Sequence, residues 1–137
     1  PCFREIRQAK AAVGIPVIAN GGIFSLADAE KMMEQTGADG VMIARYGLEH
    51  PFIFSELTQK SCKKSSLQLL KEQMELTDRY YDETFTLTYM RKLSAYMMKK
   101  KKGTKQYKAR LYQSGSLEEL WEVIALIFGQ HTGERVC

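Results

Sequence analysis

Hydrophobic and polar positions in the first part of the chain alternate between helical spacing and short, continuous apolar runs. Helical spacing over residues 1–13 predicts a first helix. Apolar, β-branched runs at 15–19 and 41–44 predict two strands buried on both faces, as in a parallel sheet. Between them, Ser25 is typical of a helix start and Gly37 of a helix end. This order predicts the helix–strand crossover unit of a parallel α/β fold.

The apolar spacing becomes helical throughout from about residue 58. Capping-box patterns beginning at Ser65 and Ser116 predict two helix starts, and Gly103 predicts a break between helices. We therefore expect an α/β segment over residues 1–57 and an all-helical domain over residues 58–137.

The α/β segment has too few strands to stand alone. Two strands do not form a stable sheet, and buried parallel strands need neighbours on each side. Ile18, Val41 and Ile43 would otherwise face water. Either the chain is a fragment that lacks a preceding segment, or its strands pair with another chain.

Composition excludes several classes of protein. The chain of 137 residues is 45% hydrophobic and 26% charged, which suits a folded core. It contains no apolar run of membrane-spanning length and no recognisable signal peptide. Its three cysteines form no CxxC pair, which disfavours a disulfide framework and a metal site. We expect a cytoplasmic protein without a membrane partner.

Charge is unevenly distributed along the chain. The net charge is +4, but residues 1–57 carry five basic and seven acidic side chains, whereas the remainder carries 15 and nine. A one-sign block favours polyanions such as nucleic acid, although a solvated helix face would have the same pattern. Nine basic residues and no acidic residue occur between positions 91 and 110: Arg91, Lys92, Lys99, Lys100, Lys101, Lys102, Lys105, Lys108 and Arg110.

Small residues follow both predicted strands. Asn20, Gly21 and Gly22 come after the first strand, and Ala44 and Arg45 come at the end of the second. Ligands of parallel α/β folds bind at the carboxyl ends of the strands, where glycines let main-chain amides approach a phosphate. The pattern is compatible with a phosphate site and equally with a plain turn beside a solvated arginine.

The stretch over residues 15–54 resembles the end of the catalytic barrel of the tRNA-dihydrouridine synthases. The resemblance rests on a strand followed by Asn-Gly-Gly, then a helix, then Asp-Gly-Val-Met-Ile-Ala-Arg and Pro-Phe-Ile-Phe at matching spacing. Met90-Arg91-Lys92 followed by Tyr96 is similar to the helical tRNA-binding domain of the bacterial branch. Gly22 and Ala44 depart from the pattern, in which Asp and Gly are usual.

This resemblance implies the C-terminal fragment of a TIM (β/α)8 barrel followed by a small helical-bundle domain. It implies an enzyme that reduces uridine in tRNA to 5,6-dihydrouridine with FMN, which NADPH reloads. The FMN phosphate would be held by Asn20, Gly21, Gly22, Ala44 and Arg45. The tRNA would be held by the nine basic residues between positions 91 and 110. The family's catalytic cysteine lies on earlier barrel strands, so we expect no catalytic residue and no activity in this chain alone.

Two questions stay open from the sequence. The chain could instead belong to another FMN-dependent TIM-barrel oxidoreductase, or be a non-catalytic RNA-binding remnant. Tyr107 and Tyr112, interleaved with basic residues, could stack on RNA bases or fasten a small helical bundle. His50 is expected to be a surface or turn residue.

Overall fold

A computed structural model describes residues 2–129 and divides the chain into two compact units, the first ending at Ser61 and the second beginning at Cys62. The boundary expected at residues 57 and 58 coincides with the end of the last helix of the first unit. The division itself falls slightly later, in the connection between that helix and the next.

The first unit alternates helices with two short strands. In chain order, its elements are α1 (Phe3–Ala12), β1 (Ile18–Asn20), α2 (Leu26–Thr36), β2 (Gly40–Met42), α3 (Arg45–Glu49) and α4 (Ile53–Leu57). The predicted order of helix, strand, helix and strand is confirmed. The strands β1 and β2 pair in parallel, with Ile18 opposite Gly40 and Asn20 opposite Met42.

The strands are shorter than the apolar runs predicted. Residues 15–17 lie before the ladder, where Val17 exchanges hydrogen bonds with Asp39 instead of continuing the strand. Within the part of the chain described, Ile18 faces water, as expected for a strand without its neighbours, whereas Val41 and Ile43 are partly buried against the core. Ile18 is 58% exposed and Met42 is 48% exposed. Helices cover one face only, over a small core of Ala19, Ile23, Ala29, Met32 and Ala38.

The helix α2 begins and ends at the residues predicted from its capping pattern. The Ser25 side chain accepts a hydrogen bond from the Asp28 amide and so satisfies one of the free donors of the first turn. Gly37 closes the helix with φ of 72°, a left-handed conformation that glycine adopts without steric cost. The caps fix where the chain leaves β1 and where it enters β2.

The second unit is helical, as predicted. Its elements are α5 (Ser66–Tyr80), α6 (Glu83–Met97), the 3₁₀ turns Met98–Lys100 and Lys105–Tyr107, α7 (Lys108–Gln113) and α8 (Leu117–Phe128). Its core is centred on Leu70, Met90, Leu111, Leu120 and Ile124, each fully buried. None of the helices described in residues 2–129 is long and apolar enough to cross a membrane.

Both predicted capping boxes start helices, but they differ in detail. At α5, Ser65 and Gln68 exchange the two reciprocal bonds of a complete box. At α8, Ser116 accepts from the Glu119 amide, whereas the Glu119 carboxylate accepts from the Gly115 amide, one residue earlier than the pattern predicts. Each arrangement satisfies two donors at the helix start.

Candidate functional site: a glycine turn and a lysine groove

The turn after β1 depends on two consecutive glycines. Gly21 has φ of 122° and Gly22 has φ of 64°. The first conformation is essentially restricted to glycine, whereas the second is one that Asn and Asp also adopt. An Asp at position 22 could therefore adopt the conformation that Gly22 has here. Successive amides in such a turn can form a concave, anion-binding surface.

The pairing register places this turn beside the end of β2. Asn20 is opposite Met42, so the residues that follow each strand emerge from the same edge of the sheet. Phe24 and Tyr46 meet there edge to face, with ring centroids 5.2 Å apart. The contact joins the segment after the glycine turn to the helix that begins at Arg45. Two sequence segments predicted to share a site are thus brought together.

Arg45 supplies a positive charge at this edge. It is exposed at the first position of α3, next to Ala44, which caps the helix without a side-chain hydrogen bond. Among the residues the structure describes, Arg45 forms no ion pair. An exposed guanidinium beside main-chain amides is a donor set that suits a phosphate. We call residues 20–22 together with Ala44 and Arg45 the phosphate cup.

Asp28 fixes the exit from the glycine turn. Its carboxylate accepts hydrogen bonds from the Phe24 amide at 3.0 Å and from the Ser25 hydroxyl at 2.8 Å. The bond from Ser25, followed by that from Phe24, holds the pKa of the Asp28 carboxyl below its ordinary value. The Asp28 carboxylate thus braces the segment that follows the glycine turn.

A row of three ring contacts extends from Phe24 through α3 to the residues that follow it and was not anticipated from the sequence. Tyr46 and His50 have ring centroids 5.7 Å apart, and His50 and Phe52 have centroids 6.4 Å apart. His50 also lies 2.8 Å from the Glu56 carboxylate. His50 is the residue that follows α3, which agrees with the expectation of a surface or turn histidine. Its contact with Glu56 links the end of α3 to α4. The spacing of Tyr46 and His50, four residues apart, was the available signal.

At the opposite end of the strands, Asp39 joins three segments. Its carboxylate lies 2.7 Å from the Lys10 ammonium and 2.7 Å from the Val17 amide. Lys10, and then Val17, lower the pKa of Asp39. Since Asp39 precedes β2, it lies at the amino ends of the strands, away from the phosphate cup. Its contacts tie α1 to the sheet and indicate a structural role.

The second unit contains a groove of about 880 Å³ that is dominated by lysines. We call it the lysine groove. Its wall includes main-chain and apolar contributions from Ala95, Met98 and Gly103, together with the rings of Tyr96 and Tyr112. The basic residues that line it are Lys92, Lys99, Lys100, Lys101, Lys102, Lys105 and Lys108.

The loop that carries these lysines has a defined conformation. Gly103 allows the reversal with φ of 76°. The buried Thr104 hydroxyl donates to the Lys101 carbonyl at 2.8 Å and approaches that of Met98 at 3.3 Å. The loop is thereby closed on itself, so the lysines project from a fixed scaffold.

Two lysines pack along aromatic rings at the edge of this loop. The Lys99 ammonium lies 4.2 Å from the centre of the Tyr96 ring, and that of Lys101 lies 5.3 Å from the centre of the Phe128 ring. These distances are typical of cation–π contacts. Packing of this kind restrains long side chains that would otherwise lose entropy on binding a ligand.

Arg91 and Arg110 do not line the lysine groove, although the sequence grouped them with its lysines. The Arg91 guanidinium donates to the Ser114 carbonyl, and its Nε is buried with no partner among the described residues. Arg110 lines a smaller groove of about 310 Å³ that also contains Glu119 and Glu122. Seven of the nine predicted basic residues therefore share one surface.

Comparison with known proteins relates nearly the whole chain to one family. A family model described as dihydrouridine synthase matches residues 2–127. The chain is 34% identical over 125 residues to a Synechocystis protein named probable tRNA-dihydrouridine synthase 1, a match that covers 85% of the chain and 35% of the relative.

Two further relatives support the assignment. An Aquifex aeolicus protein named probable tRNA-dihydrouridine synthase is 25% identical over 86% of the chain and 39% of its own length. The tRNA-dihydrouridine synthase B of Vibrio cholerae is 49% identical over 55 residues, which is 40% of the chain and 17% of the relative. The matches thus span between about a sixth and two fifths of these relatives. The chain belongs to the dihydrouridine synthase family.

Proposed function

We propose that this chain is the C-terminal portion of a flavin-dependent tRNA-dihydrouridine synthase, formed by the last two strands of a TIM barrel and a helical tRNA-binding domain. The observation that carries the proposal is the adjacency of the glycine turn and Arg45 at the carboxyl ends of two parallel strands. In TIM barrels, the loops after the last two strands commonly bind a phosphate.

The first unit would hold the phosphate of FMN. The amides of Gly21 and Gly22 can approach phosphate oxygens closely, and Arg45 can add a charged hydrogen bond. The ring contact between Phe24 and Tyr46 joins the segments that follow the two strands. When bound, FMN would supply hydride for reduction of the uracil ring, after reduction by NADPH.

The role of this chain in that chemistry is binding and orientation. Cys2 is exposed near the start of α1 and Cys62 begins the second unit, so neither lies in the phosphate cup. Cys137 lies outside the described residues. We propose that the proton donor belongs to other barrel strands and that the chain alone does not reduce tRNA.

The second unit would hold the tRNA. The lysine groove can bind several phosphates, and phosphate contacts position an RNA without reading its sequence. A uracil must leave the base stack to reach a flavin, so an enzyme of this kind needs a firm grip on the surrounding RNA. A fixed basic surface on a separate helical unit meets this need.

A chimera tests the proposal. This chain would replace the segment that it matches in the Synechocystis relative, and the product would be assayed for flavin absorbance and for dihydrouridine formed in tRNA. We expect a yellow, active protein, with Arg45→Ala weakening flavin retention by about 1.5–3 kcal/mol. Arg4→Ala, which removes an exposed arginine of α1, is the matched control. A folded chimera without flavin, or equal retention in both variants, would reject the phosphate cup.

A further inference from the structure

Two tyrosines within or next to the basic stretch of residues 91–110 have different surroundings. Tyr107 is half-buried and packs against the core of the second unit. Tyr112 is 50% exposed and lines the lysine groove. Tyr107 therefore contributes to the packing of the helical bundle, whereas Tyr112 lies on the surface that the lysines line.

Tyr112 also differs from the other tyrosine of the groove. Tyr96 is half-buried and has the Lys99 ammonium 4.2 Å from its ring centre. Within the described residues, Tyr112 has no stacked ring and no cation over its face. An accessible ring face among cations is the combination by which proteins bind single-stranded nucleic acid, with bases on the ring and phosphates on the lysines.

We infer that Tyr112 is a stacking platform for an unpaired base of the bound RNA. The inference rests on the proposed function and adds a binding site for a base to a surface otherwise suited to phosphates. The volume of the groove, about 880 Å³, exceeds what a lone phosphate requires and lies in the range of sites for larger organic ligands.

The stacking site gives the groove a preference for one form of RNA. Bases in a duplex are already stacked and paired, so they cannot lie on Tyr112 without opening the helix. Unpaired nucleotides in loops can do so at little cost. The lysine groove should therefore bind single-stranded RNA more tightly than a duplex of equal charge, and Tyr112 should account for the difference.

Binding measurements on the whole chain test this inference. The ligands are a short oligouridine strand, an RNA duplex of the same length, and polyphosphate as a polyanion without bases. We expect Tyr112→Leu to weaken binding of the single strand by about 5- to 150-fold, the range observed for loss of one stacked base. Tyr112→Phe should bind like the parent, and polyphosphate should bind all variants equally. Tyr80→Leu, which alters a tyrosine that is 71% exposed outside the groove, is the control.

The outcomes distinguish a failure of the stacking site from a failure of the proposed function. If Tyr112→Leu binds the single strand like the parent, the stacking site is rejected while RNA binding by the lysines stands. Equal losses for the single strand and polyphosphate would also reject stacking, since the ring would then act without a base. No RNA binding by the parent would reject the proposed function and this inference together.

Discussion

The Arg91 guanidinium on α6 donates a hydrogen bond to the main-chain carbonyl of Ser114, which ends α7. Ser114 is buried, and its hydroxyl donates to the Arg110 carbonyl at 2.9 Å. Arg91 thus ties α6 to the connection between α7 and α8. The sequence predicted that Arg91 binds tRNA, but its bond to Ser114 makes it a structural residue as well.

Arg91→Ala should lower the stability of the second unit. Removal of the guanidinium leaves the buried Ser114 carbonyl without its donor, which costs about 1.5–3 kcal/mol for a hydrogen bond from a charged group. Urea unfolding followed by circular dichroism measures this change. Lys92→Ala, at the exposed neighbouring position, should leave the free energy of unfolding unchanged but weaken RNA binding. Equal stability of Arg91→Ala and the parent would contradict the structural role.

The two glycines of the turn should respond differently to substitution. Gly21 has φ of 122°, so Gly21→Ala should destabilise the first unit by about 1–3 kcal/mol through backbone strain. Gly22 has φ of 64°, which Asp adopts at much lower cost, so Gly22→Asp should be nearly neutral. Thermal unfolding of each variant, with the parent, checks the difference. Equal effects at both positions would contradict the difference in conformation between the two glycines.

Asp39 should make the stability of the first unit depend on pH. Its pKa is lowered on folding by Lys10 and Val17, so the ionised carboxylate stabilises the folded state above the ordinary Asp pKa of about 4. This contribution disappears as the pH falls through the lowered folded-state value. Melting temperatures of the parent and Asp39→Asn should therefore differ at neutral pH and converge in acid. A difference that persists unchanged in acid would assign the effect to something other than ionisation.

Local signals explain why much of the fold was predictable. Ser25, Ser65 and Ser116 each accept the predicted capping bond, because a helix start is determined by the few residues around it. Strand burial was not predictable in the same way. A continuous apolar run indicates a strand that can be covered on both faces, but the covering depends on which neighbouring elements are present. Ile18 and Met42 are exposed because helices cover only one face of the sheet among the described residues.

The candidate sites show the same difference between features set by local sequence and features set by packing. Charge clustering in the sequence selected nine basic residues, of which seven lysines line one groove in the structure. Charge clustering could not distinguish Arg91 from Lys92, because the two are adjacent cations whose directions from α6 are set by packing. Arg91 bonds to Ser114, whereas Lys92 lines the groove. Likewise, the spacing did not distinguish Tyr107 from Tyr112, one packed in the core and the other lining the groove.

The most direct test of RNA binding by the lysine groove is the salt dependence of tRNA affinity. The test variant changes Lys102, Lys105 and Lys108 to Ser, since these exposed groove lysines avoid the packing contacts of Lys99 and Lys101. The control removes equal charge from exposed lysines outside the groove: Lys60, Lys63 and Lys71.

The affinity of the parent for tRNA should fall steeply with salt when both are plotted as logarithms. The slope should flatten in the groove variant by roughly 0.7–0.9 for each phosphate that the protein no longer neutralises, while the control keeps the slope of the parent. Identical slopes and affinities for the parent, the groove variant and the control would contradict the assignment of tRNA binding to this surface.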